Sequence, residues 1–180
     1  MENASAPVLT TETLRLRPFA REDLDASAAM WADPDVVRFI GGRPSSREEA
    51  WARILRYRGL WALLGYGYWL IETRQDGRFV GEVGFADFQR EMAFPEFAPE
   101  AGWALAPWAH GRGWASEAVY AALAWSDQHL PAVRTVCMIS PQNTASLRVA
   151  EKCGYRPIAD SIYKDDPVRL FERLAVSPRR

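Results

Sequence analysis

Two glycines one residue apart, Gly111 and Gly113, stand between the apolar run Ala104-Leu-Ala-Pro107 and an amphipathic stretch that opens at Trp114. Glycine has no Cβ, so its backbone can take positive φ and come close to a ligand. The N–H groups in a helix's first turn have no partner inside the helix, and the positive end of its dipole lies behind them. A strand, a glycine loop and a helix N-terminus in that order make a seat for phosphate oxygens. Here the seat would be built from the main-chain amides of Gly111, Arg112, Gly113, Trp114, Ala115 and Ser116. The Arg112 side chain either touches a phosphate or stands solvated on the loop.

Spacing separates the families that use this geometry. A P-loop requires Lys-Ser or Lys-Thr after its last glycine, and Trp114-Ala115 occupies that place. The dinucleotide fingerprint requires a third Gly or Ala and an acidic residue closing the next strand. Ser116 takes the third position, and no acidic residue ends Arg134 to Ser140. Ser116 as a hydrolase nucleophile lacks the Gly-x-Ser-x-Gly elbow. No His/Cys/Asp spacing matches a metal site.

The elements that must carry this seat follow from periodicity. Leu14-Arg-Leu-Arg alternates as a half-exposed strand does. Arg21 to Trp31 reads as a helix ended at Asp33-Pro34, with a short turn after it. Ser45-Ser-Arg-Glu-Glu49 opens a second helix running to about Leu64, before Gly65. Tyr68 to Arg74 and Phe79 to Phe85 form a hairpin around Gln75-Asp76-Gly77. Arg90 to Pro99 reads as a loop, and Ala101 to Ala106 as the strand before the glycine loop. A helix from Trp114 to about His129, a strand from Arg134 to Ser140 and a helix from Asn143 to Cys153 follow. Two strands near Ile158–Tyr163 and Val168–Leu174 complete the chain, with Ser177 to Arg180 frayed.

Gly111 and Gly113 fall on the glycine positions of Gln/Arg-x-x-Gly-x-Gly/Ala, and Trp108 replaces the leading Gln/Arg. The chain thereby resembles the Gcn5-related N-acetyltransferases (GNAT), in which this loop holds acetyl-coenzyme A. Leu14-Arg-Leu-Arg-Pro18, Glu100 to Pro107 with the loop beyond it, and Asn143 to Tyr155 resemble the RimJ/RimL-type ribosomal-protein-alanine acetyltransferase branch. The resemblance spans nearly the whole chain. It implies one α/β domain, residues 1–180 with a core at about 8–175. Its single mixed, mostly antiparallel sheet would be flanked by helices and splayed between the strand before the glycine loop and the next.

The activity so implied is transfer of acetyl from acetyl-coenzyme A to a primary amine, a protein N-terminus or a small molecule, directly in a ternary complex. A non-catalytic acyl-coenzyme A sensor of the same fold is the alternative. The strand Trp103 to Ala106 would bond the pantetheine amides, with an amide near Leu105 or Ala106 polarising the thioester. An attacking amine must be neutral, yet lysine titrates near ~10.4 and an N-terminus near ~8. Glu100 is the candidate base, directly or through a water, and Glu82 the reserve. Alternation places Glu100, Gly102 and Ala104 on one sheet face and Ala101, Trp103 and Leu105 on the other. His110 sits beside the phosphate loop and is a poor candidate. Many family members carry Tyr where this chain has Ala150. Ser146, one turn after Asn143, stands where the RimJ/RimL-type branch also has Ser, and that resemblance makes it the candidate hydrogen-bond donor to the leaving thiolate, with Asn143 both cap and cofactor contact. Glu117 suits the helix dipole and reads as structural. Glu96 and Glu100 near the cleft mouth would favour a cation. Trp61, Trp69, Trp103, Trp108 and Trp114 are either core anchors or linings of an acceptor pocket.

Composition bounds the partners. A net charge of −1 over 180 residues offers no electrostatic grip on nucleic acid or an anionic membrane. No apolar run reaches the ~18 residues of a membrane span, and the first residues lack signal-peptide features. With only Cys137 and Cys153, no disulfide framework is implied, and a reducing cytoplasm is expected. Whether the chain is a monomer or a homodimer stays open.

Overall fold

The computed structural model describes residues 5–92, 98–131 and 134–176. Eight strands form one sheet in the order β1-β2-β3-β4-β5-β6-β8-β7. They are β1 (Leu9–Thr10), β2 (Leu14–Arg17), β3 (Tyr68–Thr73), β4 (Phe79–Ala86), β5 (Glu100–Leu105), β6 (Arg134–Ile139), β7 (Arg156–Tyr163) and β8 (Asp166–Leu174). All neighbours run antiparallel except β5 and β6, which are parallel and joined by a helical crossover, as parallel strands require. The helices are α1 (Leu24–Trp31), α2 (Pro34–Val37), α3 (Arg47–Leu64), α4 (Trp114–His129) and α5 (Thr144–Lys152).

Local signals account for the helix ends. Ser46 caps α3 in a capping box with Glu49, and Gly65 ends it at φ +73°. Its buried residues Ala50, Ile54, Tyr57 and Trp61 recur at helical spacing and fix which side meets the sheet. The expected helix from Arg21 opens as one 3-10 turn, Arg21–Asp23, before α1. The turn expected after Asp33 is α2, with Asp33 accepting from the Asp35 N–H at 2.9 Å. The two-residue β1 was not anticipated.

The sheet separates two apolar layers. On one face α4 and α5 pack over Trp69, Ile71, Val83, Phe85, Ala101 and Leu105. On the other, α1 and α3 bring Met30, Trp31 and Tyr57 over Tyr68, Leu70 and Ala104. The alternation expected along β5 is therefore present, with Ala104 facing α1 and Ala101 and Leu105 facing α4. Trp61, Trp69 and Trp125 stack edge-on at 4.7 to 5.2 Å in the α4 layer, so Trp61 and Trp69 are core anchors. Cys137 and Cys153 are buried free thiols, and burial raises both, Cys153 to about 11.

Glu117, in the first turn of α4, ties that helix to the β1–β2 turn. Its carboxylate accepts from Thr11 Oγ1 at 2.6 Å, Thr13 Oγ1 at 2.8 Å and the Thr13 N–H at 2.9 Å. Partial burial opposes the charge, but these donors together outweigh it and lower the pKa below the ordinary carboxylate value. A depressed carboxylate stabilises the fold above its unfolded pKa, and that contribution is lost as pH falls through the folded one. Glu117→Gln is therefore expected to cost about 1 kcal/mol in urea unfolding at pH 7, with the gap to wild type closing at acid pH. An equal gap at both pH values would refute the electrostatic account.

Candidate active site

Only Glu100 and Val136 pair between β5 and β6. Beyond that point the two strands part, which is the splay implied by the family resemblance. Hydrogen bonding along β5 shows which groups line the gap. The Ala106 N–H donates to the Val80 carbonyl on β4 at 2.8 Å, and the Val136 N–H donates to Pro99 on the opposite side at 3.1 Å. Alternation then turns the main-chain groups of Ala101, Trp103 and Leu105 toward β6. Trp103 and Leu105 meet no strand there among the described residues. His110 Nε2 lies 3.0 Å from the Leu105 carbonyl, so the Trp103 N–H and C=O and the Leu105 N–H stay open to a ligand. Ala106 drops out of the expected cofactor amides, because β4 already takes its N–H.

The glycine loop lies at the mouth of this gap. Gly111 and Gly113 stand at φ +74° and +79°, in the left-handed region that side chains avoid. Gly113 is the N-cap of α4, and no side chain caps that end. The Glu117 N–H is bonded to the Gly113 carbonyl at 3.1 Å. The preceding amides of Trp114, Ala115 and Ser116 thus face outward, with the dipole of a 16-residue helix behind them. Such a donor set fits a diphosphate. Around it, Trp108 and Trp114 meet edge-on at 5.6 Å, with Arg112 over Trp114 at 5.1 Å and Arg78 over Trp108 at 3.6 Å. Arg112 Nε also bonds the Trp108 carbonyl at 3.4 Å.

Across the gap stands the start of α5. Asn143 caps it by accepting the Ser146 N–H on Oδ1 at 3.1 Å, which leaves its amide NH2 free to donate. The Ser146 hydroxyl is half-buried and makes no hydrogen bond to the described residues. Ala150, where a family Tyr would stand, is fully buried against the α4 layer.

The two candidate bases lie on the opposite face, toward α1 and α3. Glu82 on β4 sits across from Ala104 and is 1% exposed. It accepts from Trp31 Nε1 at 3.1 Å and from the Tyr57 hydroxyl. Burial pushes its pKa above the ordinary carboxylate value, and the nearby Arg53 charge and the two donors offset only part of that. Glu100 is held differently, by Arg90, whose Nε and Nη2 reach its two oxygens at 2.8 and 2.9 Å. Between the two carboxylates lies Tyr68, stacked on Tyr57 at 4.2 Å. Burial and both carboxylate charges raise its pKa, so the phenol stays protonated. A Cβ on Gly102 would collide with this hydroxyl, so any side chain there requires the Tyr68 ring to shift.

Trp31, Arg53, Tyr57, Tyr68 and Arg90 were not among the residues singled out from sequence. Tyr57 could have been placed on the buried side of α3 by its spacing from Ile54 and Trp61. Nothing local connects Arg90 with Glu100. Glu96, expected at the cleft mouth, lies outside the described residues, as do Ser177 to Arg180. No helix of the described residues is long and apolar enough to cross a membrane.

Comparison with known proteins agrees with this layout. A model of the acetyltransferase (GNAT) domain matches residues 13–156. YkkB of Bacillus subtilis (strain 168) is 30% identical over 172 residues, covering 92% of this chain and 94% of its own. The crystal structure of an acetyltransferase from Agrobacterium tumefaciens str. C58 superposes with a TM-score of 0.81 at 31% identity, over 94% of this chain and 95% of that one. RimL, a ribosomal L7/L12 α-N-protein acetyltransferase in complex with coenzyme A, is similar in fold alone. Its TM-score is 0.76 at 19% identity, over 93% of this chain and 98% of its own. The match over residues 13–156 covers most of the chain, and its sheet parts between β5 and β6, so this protein belongs to the GNAT acetyltransferase family.

Proposed function

We propose that the protein transfers acetyl from acetyl-coenzyme A to a primary amine, in one step within a ternary complex. The observation that carries this reading is the open edge of β5 beside the uncapped first turn of α4. Unsatisfied strand amides and, a short loop further on, free helix N–H groups supply the donors that a pantetheine arm and a diphosphate need.

The cosubstrate supplies an acetyl group activated as a thioester. The amides of Gly111, Arg112, Gly113, Trp114, Ala115 and Ser116 hold the diphosphate. Trp103 and Leu105 hold the arm, and the Asn143 amide steadies it from across the gap. Glu82 takes the proton from the amine, directly or through one water, because burial raises its pKa toward working pH. Glu100, whose charge the Arg90 guanidinium offsets in a direct ion pair, orients the acceptor side of β5 rather than receiving that proton. The amine nitrogen bonds to the acetyl carbon as the carbon–sulfur bond breaks, and the Ser146 hydroxyl donates a hydrogen bond to the departing sulfur. Acceptors of the RimJ/RimL branch, protein N-termini, and small amines both fit this chemistry. A reducing cytoplasm would keep Cys137 and Cys153 as thiols.

Two measurements test the reading together. Calorimetry should register coenzyme A binding, and thiol release from acetyl-coenzyme A should depend on an added amine. Binding without release across a broad panel of amines and N-terminal peptides would favour an acyl-coenzyme A sensor. Absence of binding would reject both.

A further inference from the structure

Arg53 projects from α3 onto the sheet face that carries Glu82. Its guanidinium carbon lies 3.6 Å from the centroid of the Trp31 ring, and Trp31 donates its indole N–H to Glu82. The Arg53 Nε is buried and has no hydrogen-bond partner among the described residues. Arg53 makes no direct ion pair among those residues, and the acidic group that acts on its charge through space is Glu82.

Three carboxylates on this side, Glu100, Glu72 and Asp23, are paired with arginines other than Arg53. Arg90 clasps Glu100, while Arg15 and Arg17 take Glu72, and Arg17 also takes Asp23. Each Glu82 oxygen accepts one hydrogen bond, from Tyr57 or Trp31, and makes no direct bond to Arg53. Arg56, nearly one turn further along α3, adds a second cation over the Tyr57 and Phe88 rings. The cation preference expected from Glu96 and Glu100 therefore loses its Glu100 part, since Arg90 cancels that charge.

A guanidinium stacked on an aromatic ring is preorganised, and its planar fork of donors matches a carboxylate or a phosphate. A polyamine would meet Arg53 and Arg56 as like charges. A neutral small amine would leave the outer guanidinium nitrogens of Arg53 without an anionic partner. We infer that Arg53 binds an anionic group of the acceptor, which is accordingly a small amine that also carries a carboxylate or a phosphate. This inference rests on the acetyltransferase reading above.

The test compares kcat and KM across four kinds of amine: L-amino acids with β-alanine, the carboxamides of the same compounds, O-phosphoethanolamine, and spermidine. The wild-type protein, Arg53→Gln and Arg53→Lys are assayed side by side, with thermal unfolding and coenzyme A calorimetry on each. Anion-bearing amines should exceed the carboxamides and spermidine by roughly tenfold or more in kcat/KM for the wild type. At pH above the acid limb, Arg53→Gln should raise their KM by about tenfold or more, leave coenzyme A affinity intact and erase the preference over carboxamides, while loss of the charge beside Glu82 moves the acid limb to higher pH. Arg53→Lys, which keeps the charge without the fork, should recover part of the loss. The ranking of amino acids against O-phosphoethanolamine tells which anion is preferred.

Equal turnover of acids and amides by the wild type, a preference for spermidine, or an unchanged preference in a folded Arg53→Gln variant overturns the inference and leaves the acetyltransferase reading standing. Coenzyme A binding without acetylation of any of these amines also overturns it. Loss of coenzyme A binding by the wild type removes both.

Discussion

Glu82→Gln is expected to lower kcat by roughly 10²- to 10⁴-fold, the contribution typical of a positioned general base. Coenzyme A affinity should not change, because Glu82 lies on the α1–α3 side of the sheet, away from the glycine loop. The replacement is nearly isosteric, and the pocket can accept it. The Gln oxygen can take the Trp31 N–H, while the Gln NH2 donates to the Tyr57 hydroxyl, which accepts as well as donates. The fold should therefore survive, so lost activity reports chemistry.

The pH profile sharpens this test. The working form of Glu82 is the carboxylate, and burial raises its pKa above the ordinary carboxylate value. The wild-type rate should fall as pH drops through that raised pKa, and Glu82→Gln should abolish this acid limb. Glu100→Gln should lose its clasp by Arg90, fall less in rate and keep the limb. The reverse pattern, with the limb lost only in Glu100→Gln, would transfer the role of base to Glu100.

Gly113→Val is expected to weaken coenzyme A binding by about 100-fold. A Cβ at this position meets no protein atom within 4 Å, so collision with the protein is not the cause. The cost lies in φ +79°, which disfavours any side chain by roughly 1–2 kcal/mol and a β-branched one most. Relaxing that angle re-aims the first-turn amides, each of which makes a charge-assisted bond worth about 1.5–3 kcal/mol. The new side chain would also stand in the open space proposed for the diphosphate. Calorimetry on the folded variant measures the loss, with urea unfolding to separate strain from binding. Wild-type affinity in Gly113→Val would remove the loop from the cofactor site.

Several features of this fold were legible because their causes lie within a few residues. Helix α4 runs from Trp114 to His129 as expected, opened by the glycine loop and stopped before Leu130-Pro131. The Asn143 cap and the Ser46–Glu49 capping box are sequence patterns with direct hydrogen-bond meaning. The alternation along β5 needed only the period of a strand. The strand ends moved by a residue or two, because pairing with neighbours, not the strand's own residues, sets where a ladder stops. β1 escaped notice because two residues carry no readable period.

The polar arrangement around the proposed chemistry was not legible in this way. Glu82 meets Trp31 and Tyr57 across separations of 51 and 25 residues, and strand register together with helix packing brings them into contact. The clasp of Arg90 on Glu100 spans a loop whose composition gives no partner. The direction of the Ala106 N–H follows from β4 pairing, which is why Leu105 and Trp103 face the gap and Ala106 does not.

Periodicity, caps and glycine placement reflect free energies settled by neighbours along the chain, so they name the helices, the loop and the family. Which carboxylate is buried, which is neutralised, and which arginine makes no direct ion pair depend on groups made adjacent only by folding. Desolvation and ion pairing act through space, and a linear reading carries no distances.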